Sequence, residues 1–385
     1  MKAAVYHKPR DIKYEEVPDP VIKHDRDVIL KVTSTAICGS DLHMYNGYMP
    51  QVKNLVMGHE FMGVIEEVGK GVTNFKKGDR VIVPFVISCG SCWFCNNKFE
   101  GHCENSNAEN YGPEGGILTE KGSGLYGYTE MYGGYDGGQA EYVRVPYADF
   151  CLRLAPDMED EKILFLTDIL PTGYSAIDWA QLQPGETVAV FGCGPVGLMT
   201  MKVAQMKGAG KVIGLDIEKY RLAKAAQTTG CETILVEDAK EAVEAVRRLT
   251  GGRGADVVVD AVGMEADRSF MDALANIIHV QAGTINALKM AFSAVRRGGR
   301  VSVVGVYATT YDNFPLGQIF DKGLDISLGQ ATVYNYIDEL IEIVKDEKII
   351  LDDIITHTLP LSEVENGYKI FANKEDDCVK VVMKP

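Results

Sequence analysis

From residue 187 onward, short apolar runs alternate with longer stretches whose apolar positions recur every three or four residues. The runs at 187–191, 211–215, 256–260 and 300–304 predict buried strands, and 196–207 and 218–228 predict helices. This βαβ rhythm predicts a parallel sheet covered by helices. Residues 1–150 read differently. Their β runs, at 28–32, 63–68 and 80–84 for example, are short and broken by glycine, proline and aspartate. Past about residue 314 the alternation fades, and the chain closes on a strand-like run at 378–383. The expectation is an α/β protein whose β-rich domain is split around a doubly wound domain. The expected segments are 1–170, 171–315 and 316–385.

The length of 385 residues suits two domains. A net charge of −15 argues against a nucleic-acid partner, because a phosphate backbone would be repelled. No apolar run is long enough to cross a bilayer, so no membrane is expected. The segment from Met1 to His7 soon turns charged and lacks the apolar stretch of a secretory signal. The expected location is therefore the cytoplasm, where disulfides are rare. Four of the nine cysteines fall within fifteen residues, which points to metal.

The run 187–191 leads into Gly192, Gly194, Pro195, Val196 and Gly197, a Gly-x-Gly-x-x-Gly turn that opens a helix. Gly192 permits the tight turn, Gly194 lets backbone approach a pyrophosphate, and Gly197 lets helix and strand pack closely. Pro195 opens the helix without an N–H of its own, and the helix N-terminus from Val196 onward offers N–H groups to phosphate. Asp216 ends the next strand, nineteen residues after Gly197, and is placed to accept both ribose hydroxyls. Its charge favours NAD over NADP, with Arg221 as the counterweight. Gly263 and Gly305 each follow a predicted strand. They either admit the nicotinamide half of the cofactor or are simple turn residues.

Cys89, Cys92, Cys95 and Cys103 form a Cys-x2-Cys-x2-Cys-x7-Cys set that can close a tetrahedral zinc site. The spacing alone also allows an iron–sulfur cluster. Residues 111–138 hold ten glycines and five tyrosines. They read as an irregular surface loop or as an aromatic-lined cover near a substrate site.

Two further motifs complete the pattern. One runs from Ile37 to His43 and contains Cys38, Ser40 and Asp41. The other is Gly58, His59, Glu60 and Gly63, continuing to Gly69 and Val72. With the glycine turn and the four cysteines, they resemble the zinc-containing medium-chain dehydrogenase/reductase family over essentially the whole chain. The resemblance implies a GroES-like β-rich catalytic domain around a Rossmann domain. It also implies two zinc ions, NAD, and a small alcohol or aldehyde substrate. Cys38 and His59 correspond to ligands of a catalytic zinc. The third ligand position falls within 165–174, which contains no cysteine, and Asp168 is the natural replacement. One thiolate, one carboxylate and a neutral imidazole balance Zn²⁺. Cys151 is the alternative. Glu60 is a ligand in some relatives and is either a ligand or an exchangeable partner here. The resemblance further assigns proton transfer to Ser40 and His43, orientation of His59 to Asp41, and a nicotinamide contact to Thr172. It also implies a homo-oligomer, a tetramer in preference to a dimer.

The strings at 137–147, 167–174 and 260–266 look like the glutathione-independent formaldehyde dehydrogenase-like branch. Formaldehyde-active members often carry histidine where this chain has Ser175. The stretch 267–284 is shorter than an insertion found in some members of that branch. Within the same enzyme class the competing reading is a polyol or threonine dehydrogenase. From another class comes a non-catalytic redox sensor that binds zinc and nucleotide. The Cys38, His59 and Asp168 set argues against the sensor, which has no need of an open metal position.

Overall fold

The computed structural model describes residues 1–49, 54–107, 122–263, 285–307, 311 and 313–385. Part of the glycine- and tyrosine-rich stretch and the whole of 267–284 lie outside the described residues. The chain forms two compact units, Met1–Pro171 with Thr332–Pro385, and Thr172–Ala331.

The second unit is built on a parallel sheet, six-stranded among the described residues. Its order is Glu232–Leu235, Lys211–Asp216, Thr187–Phe191, Ala255–Asp260, Val295–Val303 and Asp325–Leu328. Numbered along the chain, the strands run 3-2-1-4-5-6, so the order reverses beside Thr187–Phe191. Such a reversal opens a crevice at the carboxyl ends of the strands. The central strands are apolar on both faces because helices cover both. Phe191, Leu215, Val258, Phe292 and Val301 share one core cluster.

The βα rhythm continues past residue 314, contrary to the sequence reading. Helix Leu316–Lys322 and strand Asp325–Leu328 complete the sheet, and the second crossing between units falls at Thr332 instead of at 316. Edge position explains the difference. An edge strand needs no continuous apolar run, and Leu328 is 72% exposed. The opposite edge strand, Glu232–Leu235, has no fully buried residue and was equally hidden.

The first unit is a mostly antiparallel β structure. Its main sheet runs Arg153–Leu154, Arg80–Val83, Glu60–Val68, Val28–Ile37, Val381–Lys384 and His357–Pro360, with Tyr142–Val145 also pairing to Val28–Ile37. Register matters most between the two long strands. Ala36 faces Glu60, so Cys38 just past one strand meets His59 just before the other. A smaller sheet joins Lys2–Lys8, Asp11–Glu16 and Leu55–Val56.

Helix Pro195–Met206 packs on Thr187–Phe191 through Gly197. A Cβ there would stand 1.8 Å from the Gly192 carbonyl oxygen. Gly197→Ala is therefore expected to destabilise the second unit by ~3 kcal/mol, at the upper end for overpacking. Thermal melts should show the loss.

Candidate metal centre and cofactor turn

Four donors from three places in the first unit converge. Cys38 follows strand Val28–Ile37, His59 and Glu60 open strand Glu60–Val68, and Asp168 lies between the 3-10 turn Leu164–Thr167 and helix Ile169–Trp179. One ligand atom from each lies within 4.8 Å of all the others, and all four residues are buried. Asp168 Oδ2 is 3.4 Å from Cys38 Sγ and 3.3 Å from His59 Nε2. A zinc tetrahedron with sulfur at about 2.3 Å and nitrogen or oxygen at about 2.0–2.1 Å has edges of about 3.3 to 3.8 Å. The Cys38, His59 and Asp168 set fits that figure.

The local electrostatics fit a cation too. Burial, then the charges of Asp168 and Glu60, push the Cys38 thiol up to about 12. Burial would lower the basicity of His59, but Asp41, Asp168 and Cys38 together hold it well above the usual histidine range. Both shifts come from negative charge crowded into a dry site, and a dication among these donors reverses both. Glu60 is balanced separately. Its carboxylate lies 2.7 Å from Lys380 Nζ, both side chains are fully buried, and Lys380 also donates to the Ile37 carbonyl. Glu60 is thus engaged by a cation of the protein itself.

Asp41 lies 3.0 Å from His59 Nδ1, on the ring edge away from Asp168, and accepts the Cys38 N–H. The Ser40 hydroxyl is 3.1 Å from His59 Nε2, on the donor side of the ring. His43 is buried, which pushes it down to about 4, and its Nδ1 lies 3.1 Å from the Tyr128 hydroxyl. Tyr128 belongs to the described part of the glycine- and tyrosine-rich stretch and also meets the His59 ring edge-on. That stretch therefore brings an aromatic side chain to the site. Cys151 ends a short helix, Ala148–Cys151. Its thiol donates to the Ser88 carbonyl, so it is no part of the cluster.

Cys89, Cys92, Cys95 and Cys103 form the second group of donors. Their sulfurs are separated by 4.0 Å for Cys89–Cys95, 3.5 Å for Cys92–Cys95 and 4.0 Å for Cys92–Cys103. These values bracket the ~3.8 Å edge of a zinc–thiolate tetrahedron and far exceed a disulfide bond. Burial alone would raise the Cys89 thiol. Donors from Ser91, Asn105 and the Cys92 N–H pull it down to about 6, toward the thiolate a metal requires.

In the second unit the glycine turn sits at the point where strand order reverses. Gly192 takes φ +93°, Gly194 caps helix Pro195–Met206, and Pro195 and Val196 form its first turn. The Asp216 carboxylate accepts the Cys193 N–H at 2.7 Å and the Glu218 N–H at 2.9 Å, which ties the strand end to the turn. Arg221 Nη1 lies 3.9 Å from where a Cβ on Gly194 would stand. Gly263 and Gly305 abut backbone to backbone at the ends of their strands, and Thr172 is buried.

Lys380, Tyr128, Gln139 and Tyr368 escaped the sequence reading. Lys380 had a signal, a lone charge inside the apolar run 378–383. Tyr128 lay in a stretch already set apart by composition. Gln139 lay within the string 137–147 but with no sign of a place at the metal centre, and Tyr368 gave no periodic or motif signal.

Comparison with known proteins agrees with this geometry. The alcohol dehydrogenase GroES-like domain family matches residues 24–156, and the zinc-binding dehydrogenase family matches 195–285. An uncharacterized zinc-type alcohol dehydrogenase-like protein of Bacillus subtilis is 45% identical over the full length of both chains. A glutathione-independent formaldehyde dehydrogenase of Pseudomonas aeruginosa is 35% identical, across 96% of this chain and 94% of that protein. The solved alcohol dehydrogenase of Thermus sp. ATN1 superposes with a TM-score of 0.85 at 36% identity, covering 100% of this chain and 99% of the other. With its GroES-like and Rossmann domains, the chain belongs to the zinc-containing alcohol dehydrogenase family of medium-chain oxidoreductases.

Proposed function

We propose that this oxidoreductase is NAD-dependent and acts on a small alcohol or aldehyde at a zinc held by Cys38, His59 and Asp168. The observation that carries the reading is the charge balance of that set. One thiolate, one carboxylate and one neutral imidazole match a dication, while Lys380 accounts for Glu60. Three protein ligands leave a position for substrate, as catalytic zinc sites do. When bound, zinc supplies Lewis acidity toward the substrate oxygen and the nicotinamide supplies the hydride acceptor. The side chains do the rest. Asp41 holds the His59 ring so that Nε2 faces the metal position. Ser40, beside that nitrogen, takes the proton an alcohol gives up and passes it toward His43, whose Nδ1 side is set by Tyr128. The four-cysteine lobe holds a second zinc that is closed to substrate and stabilises the fold.

Asp216 supports NAD. Its carboxylate is fixed at the turn where an adenosine ribose would bind, and a 2′-phosphate there would meet like charge. The formaldehyde dehydrogenase relatives make formaldehyde a candidate substrate, with Ser175 as the departure from their pattern. A polyol or threonine dehydrogenase would be favoured by Glu60 as a zinc ligand, and here that carboxylate is paired with Lys380. We also propose a cytoplasmic homo-oligomer, a tetramer in preference to a dimer. Among the described residues no helix is long and apolar enough to cross a membrane.

Four outcomes are expected. Elemental analysis should find two zincs per chain. His59→Ala should retain one zinc and lose ~10³-fold in kcat/KM, the equivalent of several kcal/mol of Lewis-acid stabilisation. Cys103→Ser should lose the other zinc and lower Tm; an unchanged melt would refute a structural role for that lobe. Asp216→Ala should reduce the NAD-to-NADP ratio of kcat/KM by ~100-fold, as expected when like-charge repulsion of several kcal/mol is removed. For the substrate, NADH formation should be followed with formaldehyde, primary and secondary alcohols, polyols and threonine, with and without a zinc chelator. Chelator-sensitive turnover of a small alcohol or aldehyde supports the proposal. Turnover of polyols or threonine alone would replace it.

A further inference from the structure

Gln139, within the string 137–147, is fully buried beside the metal centre. Its side chain passes through the space that a side chain at position 58 would fill. A Cβ on Gly58 would stand 2.4 Å from Gln139 Cγ, and Gly58 itself has φ +96°. The glycine before His59 thus has a concrete reason to be glycine. It admits Gln139.

The Gln139 amide reaches two acceptors and one donor. Nε2 donates to the Ala36 carbonyl at 3.2 Å and, in a longer bond, to Asp41 Oδ2 at 3.4 Å. Oε1 accepts the Tyr368 hydroxyl at 2.9 Å. This pattern fixes which way the amide points. A carbonyl and an ionised carboxylate can only accept, so the NH₂ group must face them and the oxygen must face the hydroxyl. Tyr368 sits on helix Val364–Asn373, is fully buried, and packs its ring on Tyr45 at 5.3 Å. Asp41, also fully buried, receives the Cys38 N–H on the same Oδ2 and faces His59 Nδ1 with Oδ1. The polar chain therefore runs Tyr368, Gln139, Asp41, His59. Hydrogen bonds make the first two links, and the last is the 3.0 Å approach of the Asp41 carboxylate to His59 Nδ1.

We infer that Gln139, locked by Tyr368, is a positioning residue for the catalytic metal centre, fixing the Asp41 carboxylate that orients His59. The inference rests on the proposed zinc site at Cys38, His59 and Asp168. Without the amide, the buried carboxylate loses one of its donors and can swing about its side-chain torsion. The imidazole it faces then loses its fixed orientation toward the metal.

The test uses the zinc-replete full chain as wild type, Gln139→Met and Tyr368→Phe. Methionine matches the length of glutamine but offers no N–H donor, and the phenylalanine variant removes a single hydroxyl. Zinc release to a chromophoric chelator should show two kinetic classes, assigned with His59→Ala and Cys103→Ser. In Gln139→Met the class belonging to the Cys38 centre should release ~10-fold faster or more, in the range for loss of a residue supporting a ligand. The four-cysteine class should not change. Tyr368→Phe should shift the same class in the same direction by ~3-fold, a smaller loss because the amide remains. The visible absorption of the Co²⁺-substituted protein should change in band position for both variants, and kcat should fall while KM for NAD stays constant. If Gln139→Met fails to fold, Tyr368→Phe carries the same prediction. Wild-type release rates and cobalt spectra in the variants, from a protein that holds both zincs, would overturn the inference alone. A wild type without zinc at Cys38 would overturn the metal-centre reading and this inference with it.

Discussion

Crowding of negative charge in a dry place is the constraint on which the first unit depends. Cys38, Glu60, Asp168 and Asp41 lie in one buried region, and burial makes each ionised group costly unless a positive or donating group faces it. The protein answers each of them differently. Lys380 faces Glu60, the Cys38 N–H and Gln139 face Asp41, and a dication suits Cys38 with Asp168. Removing any one of these answers would leave a charge to protonate or to disrupt the packing around it.

Strand register is what brings those charges together. The pairing of Ala36 with Glu60 sets the end of one long strand against the start of the other, so Cys38 and His59 meet although twenty-one positions apart in sequence. A slip of one residue would turn one motif to the opposite face of the sheet from the other. The second unit works by a different rule. There, backbone does most of the work. The strand order reverses and a helix begins at the glycine turn, and the N–H groups of a first helical turn, which have no intrahelical acceptor, suit a phosphate. One unit thus offers side chains for metal chemistry, and the other offers a main-chain cradle.

Much of this was legible in the sequence, and the unreadable parts share a physical cause. Central strands announce themselves by apolar runs because both faces are covered, whereas edge strands such as Asp325–Leu328 carry no such run. Cys38, His59 and the four-cysteine set stood out because a metal-ligand pattern restricts residue type and spacing together, and the structure brings each set of donors together. Asp168 was readable through charge arithmetic and the family pattern. Gln139 and Tyr368 were not, because a supporting hydrogen bond can be supplied from any element that happens to pack nearby. Their spacing from Asp41 follows from tertiary packing, which no local pattern encodes.

The Glu60–Lys380 pair spans 320 positions of sequence, with the entire nucleotide-binding unit between them. Closing so long a loop is entropically slow, and the contact gives no return until both ends are in place. The inserted unit, rich in neighbouring βα contacts, can fold during that interval and shorten the effective tether. Sequence separation alone therefore favours an order in which the inserted unit forms first and the Glu60–Lys380 pair closes last. Until Lys380 arrives, Glu60 is a carboxylate in want of a cation, and a premature metal ion would find one ligand too many.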